Sequence, residues 1–363
     1  MNATRQLHEI GQSLWLDSIS RGLLTSGTLG RYVSELAVTG LTSNPTIFDQ
    51  AIRNTAFYDE AIRKKAAEGK SGEALFFELA LEDLAQAADL FRPVYDATDG
   101  VDGWASLEVS PLLANDTAGT IEAVAQLHAQ ARRPNIFIKI PGTPAGVPAI
   151  EESIFAGVPV NVTLLFSREH YLAAAEAYLR GIERRIAAGL DPKVASVASL
   201  FVSRWDVAVK DKVPQALRNR LGIAIAMRTY KSYCDLLGSV RWQKLAAAGA
   251  RPQRLLWAST GTKDPAAADI LYIEALAAPD TINTIPEKTL HAFADHGKVD
   301  GVMPTNGGDA EAVLAEFLRA GVSDATVAAT LQREGIEAFA RSWKDLMECI
   351  ASKTATLSKA AQV

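Results

Sequence analysis

Short apolar runs of strand length alternate with amphipathic helical stretches along the whole chain. Eight runs stand out, at 13–18, 38–42, 104–109, 135–140, 158–164, 194–200, 254–259 and 281–284. They are apolar on both faces, as strands buried in a parallel sheet are. Eight strands with helices between them is the count of a TIM (β/α)8 barrel, so the pattern predicts an α/β fold of that type. No linker, charge block or low-complexity tract divides the chain, and a single barrel domain is expected over 1–363. An open doubly wound sheet is the alternative; it would usually carry a glycine-rich phosphate loop, and neither GxGxxG nor GxxxxGK[ST] occurs.

The helical stretches refine this picture. After Ser167, a suitable N-cap, Tyr171, Leu172, Ala175, Tyr178, Leu179, Ile182 and Ile186 keep to one face, and Gly189 with Asp191-Pro192 supplies a stop. A helical insertion over about 47–93 follows the second strand, with helices near 48–68 and 72–91. C-terminal helices are expected over about 307–353, broken near 321–324, with a frayed tail after Thr354.

Strand side chains alternate between faces, which locates the polar residues. Asp17 shares a phase with Trp15, Glu108 with Ser106, Lys139 with Phe137, Asn161 with Thr163, and Ser259 with Leu255 and Trp257. Each polar residue falls at or near the C-terminal end of its strand, where barrel enzymes place their chemistry. Singly, each has an ordinary explanation in caps, turns or satisfied backbone. Together, a lysine and two acids converging on one rim are hard to explain as packing, because buried charge is costly.

Lys139 is the most informative of these residues. In Ile136-Phe-Ile-Lys-Ile it stands in an otherwise apolar strand, so its ammonium is either paired or has its pKa lowered by desolvation. A neutral amine attacks carbonyls, which makes Lys139 a candidate Schiff-base nucleophile. A strand-end lysine that snorkels to solvent, or pairs for structural reasons, fits the same segment.

Composition narrows the partners. A net charge of -5 argues against a general binder of nucleic acid or anionic membranes, and no apolar run approaches a membrane span. The N-terminus lacks the apolar core of a signal peptide. Cys234 and Cys349 form no metal or redox spacing and read as reduced core residues of a cytoplasmic protein. The histidines, His8, His128, His170, His291 and His296, fall on predicted helices or termini, so no metal triad and no cofactor are expected. The oligomeric state, monomer or homodimer, has no signature, since no heptad marks a seam.

The rim residues compose a reaction. Lys139 attacks a ketone, Glu108 shuttles protons through a water held by Thr163, and Asp17 takes a proton from a substrate hydroxyl as a carbon–carbon bond breaks. Asn44, Asn161 and Ser199 would hold hydroxyls of the retained fragment. The iminium stands in for a Lewis-acid metal.

Several segments carry a family resemblance. Leu14-Trp-Leu-Asp17-Ser, Leu41-Thr-Ser-Asn44-Pro-Thr, Ser106-Leu-Glu108-Val-Ser, Phe137-Ile-Lys139-Ile-Pro, Gly157-Val-Pro-Val-Asn161-Val-Thr163-Leu-Leu-Phe-Ser and Ala198-Ser199-Leu-Phe201-Val-Ser-Arg204 resemble, in order, the strand signatures of transaldolases. The resemblance implies a class I Schiff-base barrel of the pentose phosphate pathway. Such an enzyme moves a dihydroxyacetone unit from sedoheptulose 7-phosphate or fructose 6-phosphate to an aldose phosphate. It implies Lys139 as the Schiff-base lysine, Asp17 as acid-base, Glu108 and Thr163 as water relay, Asn44, Asn161 and Ser199 as hydroxyl binders, and Arg204 as a phosphate ligand. Many transaldolases carry a second phosphate arginine after the seventh strand; here Gly261 stands near its place, and Lys263 with Ser259 is expected to take over the contact or Lys263 to be a solvated loop residue. In the related fructose 6-phosphate aldolases, which are lyases, a glutamine replaces the relay glutamate and a tyrosine stands where this chain has Phe201. Glu108 and Phe201 therefore favour the transferase, because a phenyl ring has no proton to release an enamine. A barrel that kept sugar-phosphate binding and lost the chemistry is the remaining rival.

Overall fold

The apolar runs become eight parallel strands: β1 (Ser13–Leu16), β2 (Val38–Thr42), β3 (Trp104–Glu108), β4 (Ile136–Pro141), β5 (Val160–Leu165), β6 (Ser196–Phe201), β7 (Gln253–Ala258) and β8 (Ile282–Ile285). The computed structural model describes residues 2–360. The strands follow in chain order around a closed barrel, β1 pairing with both β2 and β8. Every strand residue is buried, which is why the runs lack an exposed polar face. The helix Arg168–Ala187 begins at Ser167, whose hydroxyl accepts from His170 N at 3.1 Å, and ends before Gly189.

Side chains fill the barrel below the site. The Trp104 ring stacks on Phe137 with centroids 4.0 Å apart, and Trp15 lies 6.0 Å from Phe137 on the other side. A β-carbon on Gly40 of β2 would fall 2.7 Å from both Trp15 Nε1 and Trp104 O, so only glycine fits beside these rings. Beneath them Trp15 Nε1 donates to Asp102 Oδ1 at 2.7 Å, and Ser13 Oγ donates to Asp102 Oδ2. Arg254 Nη2 closes the floor by donating to Ser13 Oγ and Thr281 O, each at 2.8 Å. The buried polar groups at this end are thus largely joined to one another, as the stability face of such a barrel requires.

The decorations differ from the pattern-based expectation. Three helices follow β2, at Pro45–Arg53, Asp59–Ala67 and Gly72–Ala97, where two were expected near 48–68 and 72–91. The first expected helix stops at Arg53, with Asn54 as its C-cap, and helix resumes at Asp59. The second continues through Pro93 because Pro93 and Asp89 are exposed, so the carbonyl that loses its donor sits on the solvent side. At the C-terminus, Ala310–Arg319 and Asp324–Ala360 are separated at Gly321, whose φ is +84°. The last helix continues past Thr354 to Ala360, where a frayed tail was expected; residues 361–363 of that tail lie outside the described residues. Lys353 Nζ ties the helix to Thr55 O at 2.5 Å and to Asp59 Oδ1 at 2.7 Å.

This long helix lies across the C-terminal mouth of the barrel. Gln332 Nε2 donates to Gly142 O at 3.0 Å and to Leu164 O at 3.1 Å, both at strand ends. Trp343 packs on Phe76 and Phe77, with centroids 5.1 and 5.6 Å away, and its Nε1 donates to Glu73 Oε1 at 2.9 Å. Insertion and C-terminal helix therefore brace each other above the barrel.

A Gly40→Ala substitution is expected to destabilise the fold by about 1–3 kcal/mol through overpacking against the indole and backbone. Urea denaturation reads this out, and an unaltered midpoint would show that the aromatic layer is not tight.

Candidate active site

β4 carries Lys139 into the barrel between Glu108 of β3 and Asn161 of β5, its register partners. Lys139 is only 6% exposed and does not snorkel. Its Nζ donates to Ser43 O at 3.0 Å and lies 3.2 Å from Glu108 Oε2. Of the readings open from sequence, the paired lysine is the one observed. The ion pair lacks hydrogen-bond alignment, so both buried Glu108 oxygens accept no hydrogen bond, and Thr163 Oγ1 is likewise buried without a partner. Such atoms clustered beside a lysine are where a water or a substrate hydroxyl is held. Burial pushes the Glu108 carboxyl above its ordinary value, against the pull of Lys139.

Asp17 sits just past the end of β1, anchored by its N–H to Ile285 O at 2.9 Å. Its side chain is deep in the mouth yet opens to the cavity there. Desolvation raises its pKa, while Lys139, the Thr42 hydroxyl, Lys263 and Arg204 pull it down. Thr42 Oγ1 donates to Asp17 Oδ1 at 3.0 Å.

The cavity has a volume of about 250 Å³ and touches Asp17, Asn44, Lys139, Asn161, Thr163, Ser199, Phe201, Arg204, Ser259 and Lys263. Glu108 lies behind Lys139, through the ion pair. Asn44 Oδ1 is used to cap Pro45–Arg53, accepting from Ile47 N at 3.0 Å, which leaves its Nδ2 as the donor available to a ligand. Ser199 Oγ donates to Asn161 Oδ1 at 2.7 Å, and Asn161 Nδ2 donates to Ser106 Oγ at 3.2 Å, a chain across β6, β5 and β3. Phe201 is buried against Phe166, centroids 5.2 Å apart.

One phase assignment is corrected. Leu255 and Trp257 were expected to share the site face with Ser259, but Leu256 and Ala258 line the cavity, and Trp257 packs outward on Tyr230 at 6.4 Å. β7 ends at Ala258, and Ser259, with φ +57°, turns the chain so that its side chain returns to the mouth. There it pairs with Ser203 Oγ at 3.0 Å.

The cationic side of the cavity is formed by Arg204 and Lys263. Among the described residues no carboxylate pairs with Arg204 and no hydrogen bond engages it; burial pulls its pKa down while Glu108 and Asp17 pull it up. Lys263 is exposed, but its Nζ lies 3.8 Å from where a β-carbon on Gly261 would be. The ammonium thus lies beside the glycine, with Pro286 Cγ nearer that position, at 3.2 Å. Asn219 Nδ2 holds the adjoining loop by donating to Asp264 Oδ2 at 2.7 Å.

Sequence reasoning missed Ser43, Thr42 and Phe339, which also serve the cavity or its lysine. Thr42 could have been found, since it ends β2 in phase with Gly40. A second cavity, of about 500 Å³, opens at the opposite end near His128, but its cations Lys193 and Arg251 are both paired with Asp99, at 2.6 and 2.7 Å. Among the described residues no three histidine, cysteine or acidic side chains gather as a metal site.

Residues 14–350 match the family described as transaldolase/fructose-6-phosphate aldolase. The chain is 44% identical to a transaldolase of Arthrobacter sp. (strain FB24), with 98% of this chain and 99% of that protein covered. It is 46% identical to one of Parafrankia sp. (strain EAN1pec), with 95% and 96% covered, and 44% identical to one of Thermobifida fusca (strain YX), with 97% and 98% covered. A barrel with a buried lysine at its mouth and relatives matched over nearly their whole length have one reading: the chain belongs to the transaldolase/fructose-6-phosphate aldolase family.

Proposed function

We propose that this chain is a transaldolase that transfers a dihydroxyacetone unit from sedoheptulose 7-phosphate or fructose 6-phosphate to glyceraldehyde 3-phosphate or erythrose 4-phosphate through a Schiff base on Lys139. The observation that carries the reading is the buried Lys139–Glu108 pair, 3.2 Å apart, on a cavity that also holds Asp17 and a guanidinium without a carboxylate partner. The names of its relatives support the same reading.

The mechanism follows from the positions. Glu108, with its proton affinity raised by burial, takes the lysine proton, and the neutral Nζ attacks the ketose C2 carbonyl. The carbinolamine hydroxyl leaves as water after receiving that proton, relayed through a water at Thr163. Asp17 removes the C4 hydroxyl proton, the C3–C4 bond breaks into the iminium, and the aldose phosphate departs. The enamine that remains on Lys139 attacks the acceptor aldehyde, Asp17 returns its proton to the new hydroxyl, and hydrolysis of the new iminium frees Lys139 and the product. Asn44 Nδ2 and the Ser199–Asn161 pair hold the retained hydroxyls, and Arg204, Lys263 and Ser259 hold the phosphate. Phe201 offers no proton to the enamine, which favours transfer over release. The free thiols Cys234 and Cys349 support a reducing, cytoplasmic setting. Among the described residues no helix is long and apolar enough to cross a membrane.

The reading requires an acceptor. Release of glyceraldehyde 3-phosphate from fructose 6-phosphate is expected to stay at a burst of about one per enzyme until erythrose 4-phosphate is added; steady release of dihydroxyacetone without acceptor would instead assign the lyase activity. The acid limb of kcat/KM is expected above the ordinary aspartate value of about 4, because Asp17 must be ionised and burial raises its pKa. Thr42→Val removes a hydrogen bond to the ionised carboxylate, so the limb should move to higher pH by about one unit. A limb that stays in place or moves to lower pH would remove Asp17 from the role of base.

A further inference from the structure

We infer that Phe339, on the helix crossing the barrel mouth, is a positioning residue for the phosphate-binding guanidinium of Arg204. The inference rests on the proposed function, in which Arg204 receives the substrate phosphate, and it assigns to the C-terminal helix a part in donor recognition.

Arg204 needs something to hold it, because among the described residues neither a carboxylate nor a hydrogen bond does so. Two aromatic faces supply the support. Its Cζ lies 5.1 Å from the Phe201 ring centroid and 5.7 Å from that of Phe339, both within cation–π range. Phe201 comes from the end of β6, two residues before Arg204's own helix Ser203–Val209, whereas Phe339 arrives from Asp324–Ala360. One turn earlier on that helix, Arg204 Nη1 lies 3.6 Å from where a β-carbon on Gly335 would be, so the guanidinium is within van der Waals reach of the helix. Gln332 fixes the helix axially through its bonds to Gly142 O and Leu164 O.

The chemistry of this arrangement suits an anion. Aromatic faces orient a guanidinium without neutralising it and leave its in-plane N–H donors unspent. A carboxylate in the same place would hold Arg204 as firmly but would have to be displaced by each incoming phosphate. Phe339 itself lines the cavity, so a single ring both shapes the mouth and steadies the cation.

The test compares Phe339→Leu, which keeps apolar packing but loses the π face, with Phe339→Tyr, which keeps the face. Both are assayed in the full chain with fructose 6-phosphate and with unphosphorylated fructose as donor, and for inhibition by inorganic phosphate. Phe339→Leu is expected to raise the KM for fructose 6-phosphate and the Ki of phosphate by roughly ten-fold, and to lower the preference for the phosphorylated donor to match. Phe339→Tyr is expected to retain the parent values. Equal losses on both donors, or a leucine variant that keeps the parent Ki, would overturn the inference and make Phe339 a packing residue. Arg204→Gln separates the two levels. If it raises the phosphate Ki while Phe339→Leu does not, the inference alone fails; if it leaves the Ki in place, the phosphate role of Arg204 fails and the inference falls with it.

Discussion

An ammonium buried beside a carboxylate inside a closed barrel is the constraint on which this structure depends. Lys139 and Glu108 occupy paired positions on neighbouring strands, and each is nearly inaccessible to solvent. Two charges so placed repay their desolvation only with help, and removing either partner typically costs about 3–5 kcal/mol. Part of the help is local, from the Ser43 carbonyl that accepts from Lys139. The proposed reaction draws on the same burial. Burial raises the proton affinity of the Glu108 carboxyl, against the pull of Lys139.

The surroundings keep the pair buried. Below it, Trp15, Trp104 and Phe137 fill the barrel so tightly that β2 admits only Gly40 beside them, and the Asp102–Ser13–Arg254 network seals the base. Above it, the insertion helices and the long C-terminal helix meet through Trp343, Phe76 and Glu73 and restrict the mouth. Within the mouth Lys139, Glu108, Asn161 and Ser199 are buried, Asp17 and Arg204 are half-buried, and Lys263 is exposed.

Much of this was legible in the chain, and the rest was hidden for definite reasons. Strand periodicity located the barrel and placed Asp17, Glu108, Lys139, Asn161 and Thr163 at one rim, because a period of two persists for as long as a strand remains regular. It failed at β7, where the left-handed Ser259 ends the alternation and reaches the cavity by turning back. Helix boundaries in the insertion failed at the break between Arg53 and Asp59, which no glycine or proline marks, and where an exposed Pro93 interrupts no buried bond. Ser43 contributes a carbonyl, which every residue possesses, so no residue type announces it. Phe339 lies more than a hundred residues from Arg204 in sequence, and only the docking of the last helix brings its ring to the guanidinium. Thr42 is different: it carried the same strand-end signal as the others and was overlooked.

The central claim is that Lys139 forms the covalent bond to the substrate. The measurement that tests it most directly is reduction with borohydride in the presence of fructose 6-phosphate, followed by peptide mass mapping. A reduced dihydroxyacetone or hexose phosphate adduct is expected on the peptide containing Lys139 and is lost in Lys139→Ala. A folded protein that yields no adduct, or an adduct confined to another lysine such as Lys263, would contradict it.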